Sequence, residues 1–270
     1  MRQDFLRAPL GKLGTPVCRL GLSATYRPGR ATIYKALDEG LNYFFFFGVD
    51  VQMTAVLREE ISPRRDRYVL ATGAYNFIWG HQNLRRTLEK RLRQTGADYI
   101  DLFHFLGVTK RHHLTSQVRD ELQAVRESGL VRGVSISTHD RPFAVELARE
   151  GVLDGMMIRY NAAHRGAETE IFPHLPESDP AVVSFTATRW SYLLRRPRGY
   201  PAGGRLPSAG MCYRFVLGNP AVDVCLMAPS NVRQFEANLA EVRRGPLTDE
   251  DTGFMRSFGD TVYRRYKYFM

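Results

Sequence analysis

Residues 129–150 read GLVRGVSISTHDRPFAVELARE. An apolar run of strand length, Gly133–His139, leads directly into Arg141–Glu150, in which apolar residues recur at helical spacing. Thr138 or Asp140 can cap the start of this helix with a side-chain oxygen. The stretch therefore predicts one β-strand followed at once by one α-helix.

The same alternation of strand and helix occurs eight times along the chain. The predicted pairs are Val17–Ser23 with Arg30–Glu39, Asn42–Phe47 with Thr54–Ile61, Tyr68–Ala74 with His81–Gln94, Asp98–Gly107 with Leu114–Ser128, Gly133–His139 with Arg141–Glu150, Gly155–Asn161 with Glu168–Leu175, Ala181–Thr188 with Ser208–Leu217, and Val222–Pro229 with Asn231–Val242. Strands and helices at this spacing imply parallel strands joined by right-handed crossovers. Eight such units in about 250 residues predict an α/β fold, a single (β/α)8 TIM barrel forming one domain over residues 1–270.

A doubly wound sheet is the alternative fold. It is disfavoured because Leu20–Gly29, after the first strand, lacks the glycine spacing of a GxGxxG phosphate loop. At the other end of the chain, Pro246–Glu250 has the pattern of a helix start with Thr248 as N-cap. This predicts a C-terminal helix that packs across the barrel, with its aromatic and basic end, Tyr263–Met270, reaching toward the mouth.

Composition excludes several protein classes. The chain has 270 residues, 44% of them hydrophobic, which is enough to form a large core. Its longest apolar run, Tyr43–Val49, is far shorter than the roughly 20 residues of a membrane span, and Met1–Leu10 lacks a secretory h-region. The three cysteines are distant from one another and form no metal-binding pattern, so we expect buried free thiols and no metal site. These features predict a cytoplasmic protein with no membrane partner.

The chain is basic, with a formal net charge of +10. Arginine accounts for nearly all of the positive charge, and these residues are spread along the whole length. No helix-turn-helix, RNP or zinc-finger signature accompanies them, so we expect no specific nucleic-acid partner. The charge predicts only a general preference for anions.

Read in order, several segments resemble the aldo-keto reductase family. They are Pro9–Leu22, Ala36–Phe44, Asp98–Leu102, Gly129–Arg132, Tyr160–Glu168, Asn219–Asp223 and Gln234–Leu239. The resemblance covers nearly the whole chain, and it implies an N-terminal β-hairpin before the first barrel strand. It also implies an NADPH-dependent carbonyl reductase that works through a tetrad of Asp, Tyr, Lys and His.

The four tetrad positions are changed in this sequence. Aligned on the resemblance, they hold Phe45 for Asp, Asp50 for Tyr, Gly73 for Lys and Leu106 for His. Without the phenol and its activating lysine, the family's proton donor is missing. We therefore expect a degenerate tetrad and no ordinary carbonyl reduction.

Three residues are candidates for replacement proton chemistry. Asp50 takes the proton donor's place beside the apolar rim Phe45–Phe47, and such surroundings favour a protonated carboxyl that can act as an acid. Tyr75 and His139 are its candidate partners, at the mouth and at the end of the fifth strand. The alternatives are a solvated loop aspartate for Asp50 and a helix-start motif for His139.

Other residues are candidates for holding a ligand. For an anionic small-molecule substrate they are Arg159, His164 and Arg165, together with the walls Phe45, Phe185 and Trp190. The resemblance further implies that NADP, where retained, contacts Ser137 and Thr138 at the nicotinamide end and Ser230, Arg233, Gln234 and Asn238 at the adenosine phosphate end.

The sequence supports three functions in a definite order. The first is a small-molecule enzyme that uses Asp50 as acid or base, with or without NADP. The second is a non-catalytic barrel, or pseudoenzyme, that binds a nucleotide or metabolite or serves as a partner subunit. A conventional NADP-dependent oxidoreductase comes third, because fold analogy cannot restore missing residues.

Overall fold

The computed structural model describes residues 4–266. Its strands are β1 (Arg7–Pro9), β2 (Pro16–Cys18), β3 (Leu20–Ser23), β4 (Tyr43–Phe45), β5 (Val69–Phe77), β6 (Gly80–His81), β7 (Ile100–Val108), β8 (Val131–Thr138), β9 (Gly155–Arg159), β10 (Ala181–Phe185) and β11 (Val224–Met227). Its α-helices are α1 (Arg30–Asp38), α2 (Val51–Val56), α3 (Leu84–Thr95), α4 (Ser116–Glu127), α5 (Arg141–Glu150), α6 (Ala167–Glu170), α7 (Ala209–Leu217), α8 (Val232–Val242) and α9 (Asp249–Arg265).

Eight of these strands form a closed parallel barrel. The order around it is β3, β4, β5, β7, β8, β9, β10 and β11, and β11 closes onto β3 with Cys225 opposite Leu20. The strands β1 and β2 pair as an antiparallel hairpin outside the barrel. The predicted (β/α)8 barrel, its N-terminal hairpin and its C-terminal helix are thus confirmed.

Three helices differ from their predicted extents. The third begins at Leu84 rather than at His81, because Gly80 and His81 pair back onto the end of β5 as a hairpin. The second begins earlier, at Val51, and its last turn widens to a π-helix. The sixth is only the single turn α6, followed by a 3₁₀ turn that contains Pro173, which has no N–H to continue an α-helix.

The core has two layers, as strand alternation requires. One set of apolar side chains fills the barrel interior, including Val69, Leu102 and Val183. A second, larger set lies between the strands and the surrounding helices. All three cysteines are buried as free thiols, as expected from their spacing. None of the helices within residues 4–266 has the length and hydropathy needed to cross a bilayer.

Two arginines attach α9 to the barrel. Arg189, in the loop after β10, donates to the carbonyls of Val262 and Tyr266 at 3.1 and 2.6 Å, and so caps the C-terminal end of the helix. Arg165, in the loop after β9, donates to Asp260 at 2.6 Å. The helix therefore crosses the loops that follow β9 and β10. Residues 267–270 of the predicted aromatic tail lie outside the described residues.

A buried ion pair stabilises the opposite end of the barrel. The guanidinium of Arg65 donates to the Asp101 carboxylate, which also accepts the Leu70 amide at 2.8 Å. Arg65 further donates to the Tyr68 and Tyr99 carbonyls. Asp101 is 1% exposed, so its charge depends on these partners rather than on water.

We predict that Asp101→Ala lowers the free energy of unfolding by about 3–5 kcal/mol, because it leaves a buried guanidinium without its carboxylate. Urea unfolding followed by circular dichroism measures the change. The control Glu89→Ala removes an exposed partner of Arg85 and should leave the unfolding midpoint where it is. Equal midpoints for both variants would show that the buried pair does not stabilise the barrel.

Candidate functional site

The carboxyl ends of the barrel strands open into a cavity of about 340 Å³. Its walls are mostly aromatic, formed by Tyr26, Phe45, Phe47, Tyr75, Phe185, Trp190 and Tyr213. Among the described residues, none that lines it carries a charged side chain. In barrels of this architecture the functional site lies at this end of the strands, so the cavity is the candidate site.

Strand geometry turns the aromatic rings inward. Phe45 ends β4, and its ring packs edge-on against Phe47 at a centroid distance of 4.9 Å. Phe47 in turn lies 5.9 Å from the ring of Tyr75 on β5. On the other side of the cavity, Phe185 ends β10. The cavity thus offers ring faces and edges on opposing walls, which suits a flat ligand.

Five of the predicted site residues line this cavity. They are Phe45, Tyr75, Ser137, Phe185 and Trp190. The other predicted residues lie outside its walls, in three groups that differ in what their side chains contact.

The structure corrects the predicted position of Asp50. Its side chain is the N-cap of α2, where Oδ1 accepts the amides of Gln52 and Met53 at 3.0 and 3.3 Å. Asp50 is 4% exposed and does not line the cavity, so its predicted place at the centre of the pocket is wrong. Within residues 4–266, its second oxygen, Oδ2, is buried without a hydrogen-bond partner.

The other proton-transfer candidates are poorly tuned for neutral pH. Burial raises the pKa of Tyr75 to about 12. Burial and the nearby charge of Arg159 lower the pKa of His139 to about 4. His139 stacks on Phe185 at 5.9 Å, beside the cavity rather than in its wall. At neutral pH the phenol stays protonated and the imidazole stays neutral.

Apart from Asp50, the positions that the resemblance aligns with the tetrad are apolar or sterically closed. Phe45 and Leu106 are cavity walls. Gly73 pairs with His104 on the neighbouring strand, and a Cβ built on this glycine would collide with the His104 carbonyl oxygen. This backbone therefore has no room for a lysine at position 73.

The predicted anion-binding residues divide into two groups. Arg159 and His164 come together after β9, and Arg159 Nη1 and His164 Nε2 are buried without hydrogen-bond partners in the described part of the chain. Burial and the charges of Arg159 and Arg189 lower the pKa of His164 to about 3. The prediction that Arg165 binds an anionic substrate is corrected, because its guanidinium is bound to Asp260 and to backbone carbonyls.

In the loop that follows β10, sequence reasoning predicted Trp190 but missed the backbone conformation and the two threonines of the cavity wall. Thr186, Arg189, Trp190 and Ser191 all have positive φ, between 48° and 68°. Left-handed backbone is unfavourable for side chains of this kind, and above all for a β-branched threonine. Such strain is concentrated at ligand sites, and Thr186, Thr188 and Trp190 do line the cavity. Because none of these four positions holds Gly or Asn, this conformation could not be predicted from the residue types.

The predicted cofactor residues are only partly available for a ligand. Ser230 and Arg233 are exposed at the start of α8. Gln234 Oε1 instead accepts the Ser230 amide at 2.9 Å, and the Asn238 amide contacts Met227 Sδ at 3.5 Å. Thr138 is buried and accepts the Asp140 amide at 3.1 Å. No group of three or more potential metal ligands occurs within residues 4–266.

Solved structures share this architecture. The holo form of the aldo-keto reductase AKR11C1 from Bacillus halodurans superposes with a TM-score of 0.76 at 20% identity, over 93% of this chain and 95% of that chain. Its apo form gives a TM-score of 0.72 at 20% identity over the same shares. A Pseudomonas aeruginosa protein assigned to the aldo-keto reductases gives 0.70 at 18% identity, over 89% of this chain and 95% of that one.

No protein-family model matches the chain. No curated protein matches it either. The structural likeness nevertheless establishes that the chain has the fold of the aldo-keto reductases.

We predict that Asp50→Ala destabilises the protein by about 1 kcal/mol, because the start of α2 loses its cap. Asp50→Asn keeps an acceptor oxygen for the Gln52 and Met53 amides and should unfold close to the wild-type midpoint. Thermal unfolding of both variants measures the difference. If Asp50→Ala unfolds like the wild type, the carboxylate is not a stabilising cap.

Acid should destabilise the fold through three buried histidines. Burial lowers the pKa of His104 and of His164 to about 3, and that of His139 to about 4. As the pH falls below about 6.5, these histidines bind protons in the unfolded chain but stay neutral in the folded chain. The free energy of unfolding therefore decreases down to about pH 4.

Urea unfolding at a series of pH values, with chloride as the only anion, measures this dependence. His164→Asn should reduce the slope of the free energy of unfolding against pH by the contribution of one proton. Curves for wild type and variant that run parallel between pH 6.5 and 4 would contradict the assignment.

Proposed function

We propose that this chain binds a planar small molecule in the cavity at the carboxyl ends of its barrel strands. The observation that carries the proposal is the wall itself, which combines seven aromatic side chains with no charged side chain among the described residues. A pocket of a few hundred Å³ with this lining is typical of small-molecule sites. The ring of the ligand would lie between Phe185 and the opposing group of Phe45, Phe47 and Tyr75.

Polar groups in the wall would orient the ring. Ser23 and Thr25 share a hydrogen bond of 2.8 Å between their hydroxyls, and both face the cavity. The Ser137 hydroxyl accepts the Gly107 amide at 3.4 Å, which leaves its own proton available to a ligand. A few placed hydroxyls among apolar walls give a site its orientation and specificity.

The pKa values of the titratable groups near the cavity favour ligand binding over proton-transfer catalysis. A general acid works best with a pKa near the working pH. The pKa of Tyr75, about 12, lies far above neutral pH, and the pKa of His139, about 4, lies far below it. The cavity also lacks a lysine, and Gly73 leaves no room for one.

NADP(H) is the first nucleotide to test as the ligand. Arg233 is exposed at the start of α8 with no ion pair in residues 4–266, so its guanidinium can meet a phosphate beside the helix N-terminus. Phe185 offers a face for a nicotinamide ring. Ser230 and Ser137 also fit the cofactor, whereas Thr138, Gln234 and Asn238 are engaged within the protein.

A catalytic barrel is the second candidate, and one observation favours it. Asp50 Oδ2 is buried and has no hydrogen-bond partner in residues 4–266, and a catalytic role is one explanation for such an unsatisfied oxygen. Asp50→Asn separates this candidate from the first, because the amide preserves the cap and removes the titratable proton. Loss of turnover with unchanged ligand affinity would favour the enzyme. Unchanged turnover would favour the binding barrel.

Tryptophan fluorescence tests the binding proposal. The chain has two tryptophans, Trp79 on the exposed hairpin tip and Trp190 in the cavity wall, so Trp79→Phe leaves one reporter at the site. We expect phenol to quench Trp190 saturably. Adding Phe185→Leu should weaken its affinity about fivefold, the value of one ring–ring contact of about 1 kcal/mol.

The matched control is Phe254→Leu in the same background. Phe254 is also aromatic but lies on α9, where it packs against Phe258 and does not line the cavity. This change should leave the affinity unaltered. Equal losses in both variants, or no saturable quenching by aromatic compounds, would refute the proposal.

The nucleotide proposal has its own test. Arg233→Ala should weaken NADP binding roughly tenfold, because a charge-assisted bond to the phosphate is lost, and should leave NAD binding unchanged. Isothermal titration calorimetry measures both affinities. Tight NADP binding that does not respond to Arg233→Ala would place the phosphate elsewhere.

A further inference from the structure

A cluster of two arginines and two histidines lies beside the cavity, where β8, β9 and β10 end, and its positive charge comes from the arginines. Its members are Arg159, Arg189, His139 and His164, and the last two are close enough to the arginines for their charges to matter. The His164 ring meets Tyr263 of α9 at 5.4 Å, which closes the cluster from outside. This cationic cluster is distinct from the uncharged cavity wall.

Strand register places the cluster one layer above the cavity. Ser137 and Met157 are register partners that both line the cavity. Two residues further along the same strands come His139 and Arg159, which therefore leave the strands on the same face. Arg159 is in turn the register partner of Phe185, itself a cavity wall. The cluster thus begins within one side-chain length of the cavity.

Several hydrogen-bond donors in the cluster have no acceptor. Among the described residues, Arg159 Nη1, His164 Nε2, Arg189 Nε and Thr186 Oγ1 are buried without partners. Arg189 is 0% exposed, so its free N–H cannot be satisfied by bulk water. Buried polar groups are normally paired, and this many unpaired ones in one place indicate a missing acceptor.

The nearby carboxylates are already engaged with other groups. Glu170 pairs with Arg141 at 2.9 Å, and Asp260 pairs with Arg165 at 2.6 Å. Glu168 accepts from Arg256 and from the Tyr160 hydroxyl. Within residues 4–266, Arg159 and Arg189 have no carboxylate partner. The cluster therefore has an uncompensated positive charge.

The loops that hold the cluster are fixed in place by one amide. Asn161 Oδ1 accepts the His164 amide at 3.0 Å, while its Nδ2 donates to the Thr186 carbonyl at 2.9 Å. One buried side chain thus fixes the backbone positions of both the β9 loop and the strained β10 loop. A preorganised arrangement of donors avoids ordering costs when an anion binds.

We infer that the cationic cluster binds an oxyanion, a phosphate or a carboxylate, carried by the planar ligand of the adjoining cavity. Arg159 and His164 supply the facing donors, Thr186 supplies a hydroxyl at the boundary with the cavity, and Arg189 supplies charge from behind. The ring part of this inference rests on the proposed function. The oxyanion part is argued separately, from the side chains of the cluster. The ligand class is therefore a flat ring that carries one oxyanion.

Anion binding has a spectroscopic signature at His164. The groups that face this imidazole are Arg159, Arg189, Arg141 and His139, all of which disfavour its protonation, and Tyr263. A bound anion reverses the local field and favours the protonated ring. The pKa of His164 must then rise from its value of about 3.

The first experiment uses the single-tryptophan background Trp79→Phe and compares phenol, phenyl phosphate and benzoate. We expect phenyl phosphate or benzoate to bind at least roughly tenfold more tightly than phenol, since the anion adds charge-assisted bonds in a buried site. Arg159→Gln should remove this advantage and leave phenol affinity unchanged. The control Arg119→Gln removes an equal charge from an exposed ion pair on α4.

The outcomes separate the two proposals. Equal affinities for phenol and both anions, or equal effects of Arg159→Gln and Arg119→Gln, would overturn the oxyanion site while leaving the ring site standing. If no aromatic compound binds, the ring proposal fails, and NMR titration of His164 with inorganic phosphate still tests the cluster. A rise in its pKa that Arg159→Gln abolishes supports the site, and no rise overturns it.

Discussion

Closure of the parallel barrel is the constraint on which the rest of the structure depends. Each strand is hydrogen-bonded to a parallel neighbour on both sides, so every carboxyl end opens at the same mouth. Register then decides which side chains meet there, and Phe185 is held opposite Arg159 because β10 and β9 cannot slide without turning their core faces outward. The aromatic cavity and the cationic layer above it are both consequences of that register.

The barrel has the fold of the aldo-keto reductases, whereas the positions that the resemblance aligns with the tetrad hold other side chains. Phe45, Leu106 and Gly73 leave this end of the barrel without a charged side chain at those positions, and Arg159 and Arg189 carry positive charge beside the cavity. Arg189 has two roles, because the guanidinium that caps α9 also adds charge to the cluster. An anion bound at the inferred site would therefore link its affinity to the stability of α9 through this one side chain.

The barrel could be predicted because it follows from periodicity, and part of the site could be predicted with it. Strand alternation placed Tyr75 in the cavity, and the resemblance placed Ser137 and Phe185 there. The resemblance was not enough for Asp50, where the chain turns into α2 and the carboxylate is drawn to the free amides of that helix. Arg159 and Arg165 look alike in sequence, and only the placement of Asp260 on α9 shows that one is paired.

We propose that the mouth of this barrel binds a ring without supplying a proton. NADPH oxidation at 340 nm with simple aromatic aldehydes at saturating concentrations tests this. We expect turnover well below the roughly 1–10³ s⁻¹ typical of enzymes, because no group in the cavity is tuned to donate a proton. Steady turnover within that range, lost in Tyr75→Phe or Asp50→Asn, would contradict it.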